Sequence, residues 1–234
     1  MTRRYLIVDD NAAFAENLAE IVRDHGDEAV TAQSGARALE LAAENEFDAL
    51  LTDMRMPVMS GAALVHEIRR IDPGVPAIVI TAYTGERDLE AARQEGLLAV
   101  LPKPPPIERL VELLGLARRD GLVALVEDDA ALSDNLCEAL RDHGYSAVTA
   151  RSVTETDRLG EVRPFAALVD LRMPDGPDGE AMRRLAHRFP HLPIFIITAH
   201  ADSLPAGQAA AAFVKPFDSA KLLAAIEGVH GRKQ

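Results

Sequence analysis

The strongest constraint on the fold of this chain is an internal repeat. The segment D-M-R-M-P at Asp53–Pro57 returns as D-L-R-M-P at Asp170–Pro174, and I-T-A at Ile80–Ala82 returns at Ile197–Ala199. Both pairs are offset by 117 residues, which is far longer than the repeats that build solenoids. A chain of 234 residues has room for two domains of ordinary size. The repeat therefore predicts two similar domains in tandem, residues 1–119 and residues 120–234.

Each half alternates short apolar runs with segments of helical period. In the first half, the apolar runs are Tyr5–Val8, Ala29–Ala32, Ala49–Thr52, Ala77–Thr81 and Ala99–Leu101. Strands that are apolar throughout are typical of a parallel sheet that helices cover on both faces. The pattern predicts an α/β fold with a doubly wound, five-stranded parallel sheet in each half.

Polar residues follow the predicted strands at matching places in the two halves. They are Asp9, Asp10, Asp53, Thr81 and Lys103 in the first half, and Glu127, Asp128, Asp170, Thr198 and Lys215 in the second. Ligands of such sheets bind beyond the carboxyl ends of the strands. We therefore expect three carboxylates, a hydroxyl and an ammonium to meet in one pocket in each half.

This combination of groups suits phosphoryl transfer. Three clustered carboxylates repel one another unless cations compensate their charge. A lysine supplies one positive charge, and Mg²⁺, which prefers oxygen ligands, would supply two more. A carboxylate placed there can attack a phosphoryl group and become an aspartyl phosphate, while the lysine and the hydroxyl stabilise the transferring oxygens.

In their order and spacing, these residues make both halves resemble response regulator receiver domains of two-component signalling, similar to chemotaxis regulators. The resemblance covers about 117 residues in each copy, nearly the whole chain. It implies a flavodoxin-like, five-stranded doubly wound sheet with the strand order 2-1-3-4-5. It also implies Mg²⁺ as the cofactor.

The resemblance assigns a role to each residue of the pattern. The implied phosphoacceptors are Asp53 and Asp170, which would also be ligands of Mg²⁺. The other implied ligands are Asp10 and Asp128, which would bind Mg²⁺ directly, Asp9 and Glu127, which would act largely through water, and the backbone carbonyls of Arg55 and Arg172. The implied partners of the phosphoryl group are the hydroxyls of Thr81 and Thr198 and the ammonium groups of Lys103 and Lys215. The Lys103–Pro104 and Lys215–Pro216 peptide bonds would be cis.

The second copy departs from the first near its fourth helix. Thr81 and Lys103 are 22 positions apart, whereas Thr198 and Lys215 are only 17 apart. The second copy therefore lacks about five residues, more than one helical turn. Pro205 also stands where a helix would begin. We predict that the fourth helix of the second domain is shortened or irregular.

The charge and the cysteine content narrow the possible partners and the location. The net charge of −12 is shared by both halves, which argues against nucleic acid or an anionic membrane as a partner. The single cysteine, Cys137, fits a reducing compartment, and no apolar run is long enough for a membrane span. We expect a cytoplasmic protein without membrane insertion.

These observations predict a response regulator with two receiver domains and no effector domain. It would take phosphoryl groups from a histidine kinase or a histidine phosphotransfer protein and signal to a downstream protein target, with a homodimer as one form. It would be a phosphoacceptor that assists its own phosphotransfer and dephosphorylation, not an enzyme with separate substrates.

Other interpretations stay open at this point. In one interpretation, the second domain is a docking scaffold that needs no phosphorylation. In another, the chain is the receiver part of a hybrid histidine kinase. A phosphohydrolase of the haloacid dehalogenase type is disfavoured. Those enzymes carry a second aspartate two positions after the nucleophile, where this chain has Arg55 and Arg172.

Overall fold

The computed structural model describes residues 2–82, 96–199 and 209–231. The chain divides into two compact units, Met1–Asp120 with Gly144–Ser146, and Gly121–His143 with Ala147–Gln234. We call them domain 1 and domain 2, and the predicted boundary between residues 119 and 120 stays a prediction. The described part of the chain contains no helix that is both long enough and apolar enough to cross a membrane.

Domain 1 alternates strands and helices as predicted. Its elements are β1 (Arg4–Val8), α1 (Ala12–Asp24), β2 (Glu28–Ala32), α2 (Gly35–Glu44), β3 (Ala49–Asp53), α3 (Gly61–Ile71), β4 (Ala77–Thr81), β5 (Ala99–Pro102) and α4 (Ile107–Leu116). The strands form one parallel sheet in the order β2-β1-β3-β4-β5. The predicted doubly wound order is therefore confirmed.

The apolar strands of domain 1 contribute buried side chains to both faces of the sheet, because successive side chains point to opposite sides. In β1, Leu6 and Val8 pack with the buried residues of α2 and α3, whereas Tyr5 and Ile7 pack with those of α1 and α4. All four are buried, and each large apolar side chain removed from water contributes about 1.5–3 kcal/mol. Burial on both faces explains why these strands carry no polar alternation.

Domain 2 repeats the plan with one change. Its elements are β6 (Leu122–Val126), α5 (Ala130–Asp142), β7 (Ser146–Ala150), a 3₁₀-helix (Thr154–Glu161), β8 (Ala166–Asp170), α6 (Glu180–Arg188), β9 (Ile194–Thr198), β10 (Ala211–Val214) and α7 (Ser219–His230). The sheet order β7-β6-β8-β9-β10 matches that of domain 1. The predicted shortening of the fourth helix falls on residues 200–208, which lie outside the described residues.

The 3₁₀-helix stands where the repeat predicts an α-helix. Domain 1 has an alanine-rich segment at this place, and its α2 spans ten residues. Domain 2 instead has Thr154, Thr156 and Gly160, whose helix propensities are lower than that of alanine. The weaker propensity accounts for the tighter and less regular helix in the second copy.

Candidate functional site

The carboxyl ends of β1, β3 and β5 bring charged groups together in domain 1. Lys103 follows β5, and its Nζ lies 2.5 Å from Oδ2 of Asp9 and 3.0 Å from Oδ2 of Asp53. Asp9 is buried and Asp53 is half-buried, so the ion pairs are shielded from bulk water. One ammonium therefore bridges two of the predicted pocket residues.

Domain 2 reproduces this arrangement with a glutamate in place of the first aspartate. Nζ of Lys215 lies 2.8 Å from Oε2 of Glu127 and 2.6 Å from Oδ2 of Asp170. Both carboxylates are buried. The second pocket thus keeps the geometry of the first, although the longer Glu127 side chain supplies one of its carboxylates.

An exposed carboxylate completes each cluster. Carboxylate oxygens of Asp9, Asp10 and Asp53 lie within 4.8 Å of one another in domain 1. Oxygens of Glu127, Asp128 and Asp170 do the same in domain 2. With one lysine, each pocket carries an uncompensated charge of about −2, which a divalent cation would neutralise. An all-oxygen donor set of this charge fits Mg²⁺.

Backbone N–H groups orient the buried carboxylates. The N–H of Asn11 donates to Oδ1 of Asp9 at 2.9 Å, and the N–H of Asp129 donates to Oε1 of Glu127 at 3.2 Å. Asn11 and Asp129 are themselves the N-caps of α1 and α5. The turns that begin these helices therefore also position the first carboxylate of each pocket.

The pKa values of the pocket lysines and of Glu127 reflect burial and ion pairing. Burial by itself lowers the pKa of Lys103, but hydrogen bonds to Asp9 and Asp53 outweigh burial and raise it. The pKa of Lys215 is raised in the same way by Asp170 and Glu127. Both lysines therefore stay charged. Burial raises the pKa of Glu127 more than the ion pair with Lys215 lowers it.

The two threonines end the strands next to the acceptors. Thr81 and Thr198 are both buried. The carbonyl of Thr81 accepts the N–H of Lys103 at 2.9 Å, and the carbonyl of Thr198 accepts that of Lys215 at 2.8 Å. Each threonine thus ends the strand next to the one that the lysine of its own pocket follows.

The loop after each acceptor is tightly built. In domain 1, a Cβ at Gly61 would lie 2.2 Å from the carbonyl oxygen of Asp53, so only glycine lets α3 start this close. In domain 2, the N–H of Arg172 donates to Oδ1 of Asp170 at 2.9 Å, and its side chain pairs with Asp178 at 3.3 Å. Metal binding by the carbonyls of Arg55 and Arg172 stays a prediction.

The structure adds a residue that sequence reasoning missed. Nζ of Lys103 lies 4.6 Å from the centre of the Phe14 ring, which is a cation–π distance. Leu132 occupies the corresponding position of domain 2. A lone phenylalanine in the first turn of a helix gives no signal of such a contact, because the contact depends on where β5 ends.

The predicted cis peptide bonds at Lys103–Pro104 and Lys215–Pro216 are confirmed.

Comparison with known proteins identifies the family to which this arrangement belongs. The model of the response regulator receiver domain matches the chain twice, at residues 5–115 and 123–227. The chain belongs to the response regulator receiver family of two-component signalling and contains two such domains in tandem.

Two relatives found by sequence agree with this assignment. The chain is 63% identical over 228 residues to a response regulator receiver protein of Anaeromyxobacter sp. (strain Fw109-5), and the match covers 97% of this chain and 95% of that protein. It is 30% identical over 172 residues to the response regulator MprA of Mycobacterium ulcerans (strain Agy99), covering 73% and 72%. A CheY-like receiver domain protein from Methanospirillum hungatei JF-1 aligns with a TM-score of 0.48 at 26% identity, over 49% of this chain and 92% of that structure.

Proposed function

We propose that the protein is a response regulator whose Asp53 and Asp170 both accept phosphoryl groups. The observation that carries this proposal is the duplicated pocket. In each copy the acceptor carboxylate lies within 3.0 Å of a lysine ammonium and beside two more carboxylates. The phosphoryl donor would be a histidine kinase or a histidine phosphotransfer protein.

The chemistry follows from the groups in each pocket. A carboxylate oxygen of Asp53 or Asp170 attacks the phosphorus of a phosphohistidine, so that a P–O bond forms while the P–N bond breaks. The imidazole nitrogen takes the electron pair and then a proton from solvent. Lys103 and Lys215 are already beside the acceptors, where their charge stabilises the oxygens of the transferring group.

The other predicted residues have supporting roles in this proposal. When bound, Mg²⁺ supplies two positive charges that offset the carboxylates and the phosphoryl oxygens. Its proposed ligands are Asp9, Asp10 and Asp53 with the carbonyl of Arg55 in domain 1, and Glu127, Asp128 and Asp170 with the carbonyl of Arg172 in domain 2. The hydroxyls of Thr81 and Thr198 would donate to the phosphoryl group.

We also propose where the protein acts and what it contacts. It would be cytoplasmic and would report phosphorylation to a downstream protein, as a monomer or a homodimer. It would catalyse only its own phosphotransfer and dephosphorylation. The scaffold and hybrid-kinase alternatives are not favoured. In particular, domain 2 keeps the carboxylates and the lysine that a phosphorylation-independent scaffold would not need.

The test is phosphorylation by acetyl phosphate with Mg²⁺, read by intact-protein mass spectrometry. Wild type should gain up to two phosphoryl groups, Asp53→Asn and Asp170→Asn one each, and the double variant none. The matched controls are Asp24→Asn and Asp134→Asn, which change exposed aspartates outside the pockets and should behave like wild type. Label on the double variant would contradict the assignment, and an unlabelled Asp53→Asn variant would make domain 2 a scaffold.

A further inference from the structure

Domain 2 contains a second concave site besides its acidic pocket. A cavity of about 620 Å³ lies between the 3₁₀-helix and α6. Thr156 and Asp157 line it from the 3₁₀-helix, and Leu185 lies among the α6 residues that line the other side. We call this cavity the α6 groove. None of the predicted pocket residues lines it.

Domain 1 has a different element at the corresponding place. There α2 is a regular helix that packs against α3, with Ala38 and Ala42 buried. In domain 2 the shorter 3₁₀-helix takes the place of α2 and contacts α6 less extensively. One wall of the groove is therefore the element in which the two domains differ.

The lining of the groove contains more arginines than carboxylates. Arg183, Arg184 and Arg188 line it, against the two carboxylates of Asp157 and Glu180. The whole chain, in contrast, has a net charge of −12. The residues 117 positions earlier in α3 include no arginine: they are His66, Glu67 and Ile71. The three arginines of the groove therefore have no counterpart at the same positions of domain 1.

The arginines are held in place by weak, exposed ion pairs. Glu180 accepts hydrogen bonds from Nη2 of Arg183 at 3.0 Å and from Nε of Arg184 at 3.2 Å, and Arg184 also lies 3.7 Å from Asp157 across the groove. The side chains of Arg183 and Arg184 are 52% and 42% exposed, so a ligand can reach both guanidinium groups. Exposed ion pairs contribute little free energy, so the carboxylates of a ligand can compete with Glu180 and Asp157 for the arginines.

We propose that the α6 groove binds an acidic segment of a partner protein, one rich in aspartate and glutamate. Its arginines offer bidentate contacts to carboxylates. Charge complementarity selects this occupant, because most of the acidic chain surface repels such a segment while the groove attracts it.

Both walls of the groove are attached to the loop that follows Asp170. Oδ1 of Asp175 in this loop accepts the N–H of Val153 at 2.6 Å, just before the 3₁₀-helix, and its Oδ2 accepts that of Thr154 at 3.0 Å. The N–H of Gly179, immediately before α6, donates to the carbonyl of Leu171 at 2.7 Å. These hydrogen bonds therefore hold both walls of the groove against the same loop.

The test measures the anisotropy of a fluorescein-labelled oligoglutamate peptide titrated with the full chain. The Arg184→Gln/Arg188→Gln variant should bind about tenfold more weakly than wild type, because each lost guanidinium removes a charge-assisted contact. The matched control is Arg70→Gln, which changes an exposed arginine of α3 that pairs with Glu67, and it should bind like wild type. An oligoglutamine peptide should not bind, and added salt should weaken binding.

Three results would overturn the proposal. They are equal affinity of wild type and the double variant, equal losses in the double variant and in Arg70→Gln, and binding of phosphatidylglycerol vesicles in preference to the peptide. Circular dichroism checks that each variant folds. If the double variant does not fold, the single variant Arg188→Gln is used for the test instead. The unphosphorylated protein is used, so failure here leaves the phosphotransfer proposal standing.

Discussion

At the scale of single residues, close packing around Asp53 makes Gly61 indispensable. Its Cα faces the carbonyl of Asp53, and α3 begins at Gly61 itself. Gly115 is the useful contrast, because it lies inside α4 and a Cβ there would meet nothing within 4 Å. The two glycines should therefore respond in opposite directions to the same substitution.

We expect Gly61→Ala to lower the free energy of unfolding by about 1–3 kcal/mol, since the methyl group must displace backbone atoms. Gly115→Ala should raise it by about 0.5–1 kcal/mol, because alanine is the better helix former. Urea unfolding of the two variants and wild type measures both changes. A stabilising Gly61→Ala substitution would show that the contact with the Asp53 carbonyl is not a real constraint.

Some contacts between single residues could be predicted from the sequence, and others could not. The spacing of Asp9, Asp53 and Lys103 indicates a shared pocket because parallel strands end at one edge of the sheet. The contact between Phe14 and Lys103 has no such pattern behind it. It arises because α1 and the end of β5 come together in space, and neither segment signals the other.

At the scale of elements, the 3₁₀-helix of domain 2 depends on a carboxylate outside it. Asp175 is exposed and accepts the N–H groups of Thr154 and Val153 and the hydroxyl of Thr154. The hydrogen bonds from the N–H groups of Thr154 and Val153 lower the pKa of Asp175 below its ordinary value of 3.8. The ionised carboxylate therefore acts as an anchor for the 3₁₀-helix.

Because the pKa of Asp175 is lowered by folding, its ionised form stabilises the native state above pH 3.8, and this contribution is lost as the pH falls through the lowered pKa. We expect Asp175→Asn to melt at a lower temperature than wild type at pH 7, and the gap to narrow at pH 3. Thermal unfolding followed by circular dichroism measures the gap. Asp178→Asn, an exposed neighbour in the same loop, is the control. A gap that is the same at both pH values would exclude the charge as the cause.

Among the elements, the repeat predicts more similarity between the two domains than the structure has. The copies share strands and sheet order, so the first α2 predicts a second one. The low helix propensities of Thr154, Thr156 and Gly160 were visible in the sequence and signalled the exception. The resulting groove was not visible, because it depends on how far the 3₁₀-helix reaches over α6.

At the scale of the whole molecule, the two acidic clusters predict two metal sites per chain. Each contains one exposed aspartate, Asp10 or Asp128, that can be changed without touching the lysine ion pairs. We expect isothermal titration with MgCl₂ to find two sites in wild type. Asp10→Asn and Asp128→Asn should keep one each, and the double variant none.

Stability gives an independent readout of these sites. Because a ligand that binds only the folded state stabilises it, Mg²⁺ should raise the melting temperature of wild type but not that of the Asp10→Asn/Asp128→Asn variant. Asp24→Asn, which is exposed and outside both clusters, should respond to Mg²⁺ like wild type. Two Mg²⁺ sites in the double variant would place the metal elsewhere.

The sequence by itself determined the duplication, the parallel sheets, and the carboxylates and lysines that meet at the strand ends. Repeats, apolar runs and strand ends are local patterns, and a parallel sheet turns them into one predictable edge. Only the tertiary structure decided that each lysine bridges two carboxylates, that Phe14 lies over Lys103, and that the arginines of α6 line a groove. Those contacts join segments far apart in the chain, and their distances follow from packing that no local pattern encodes.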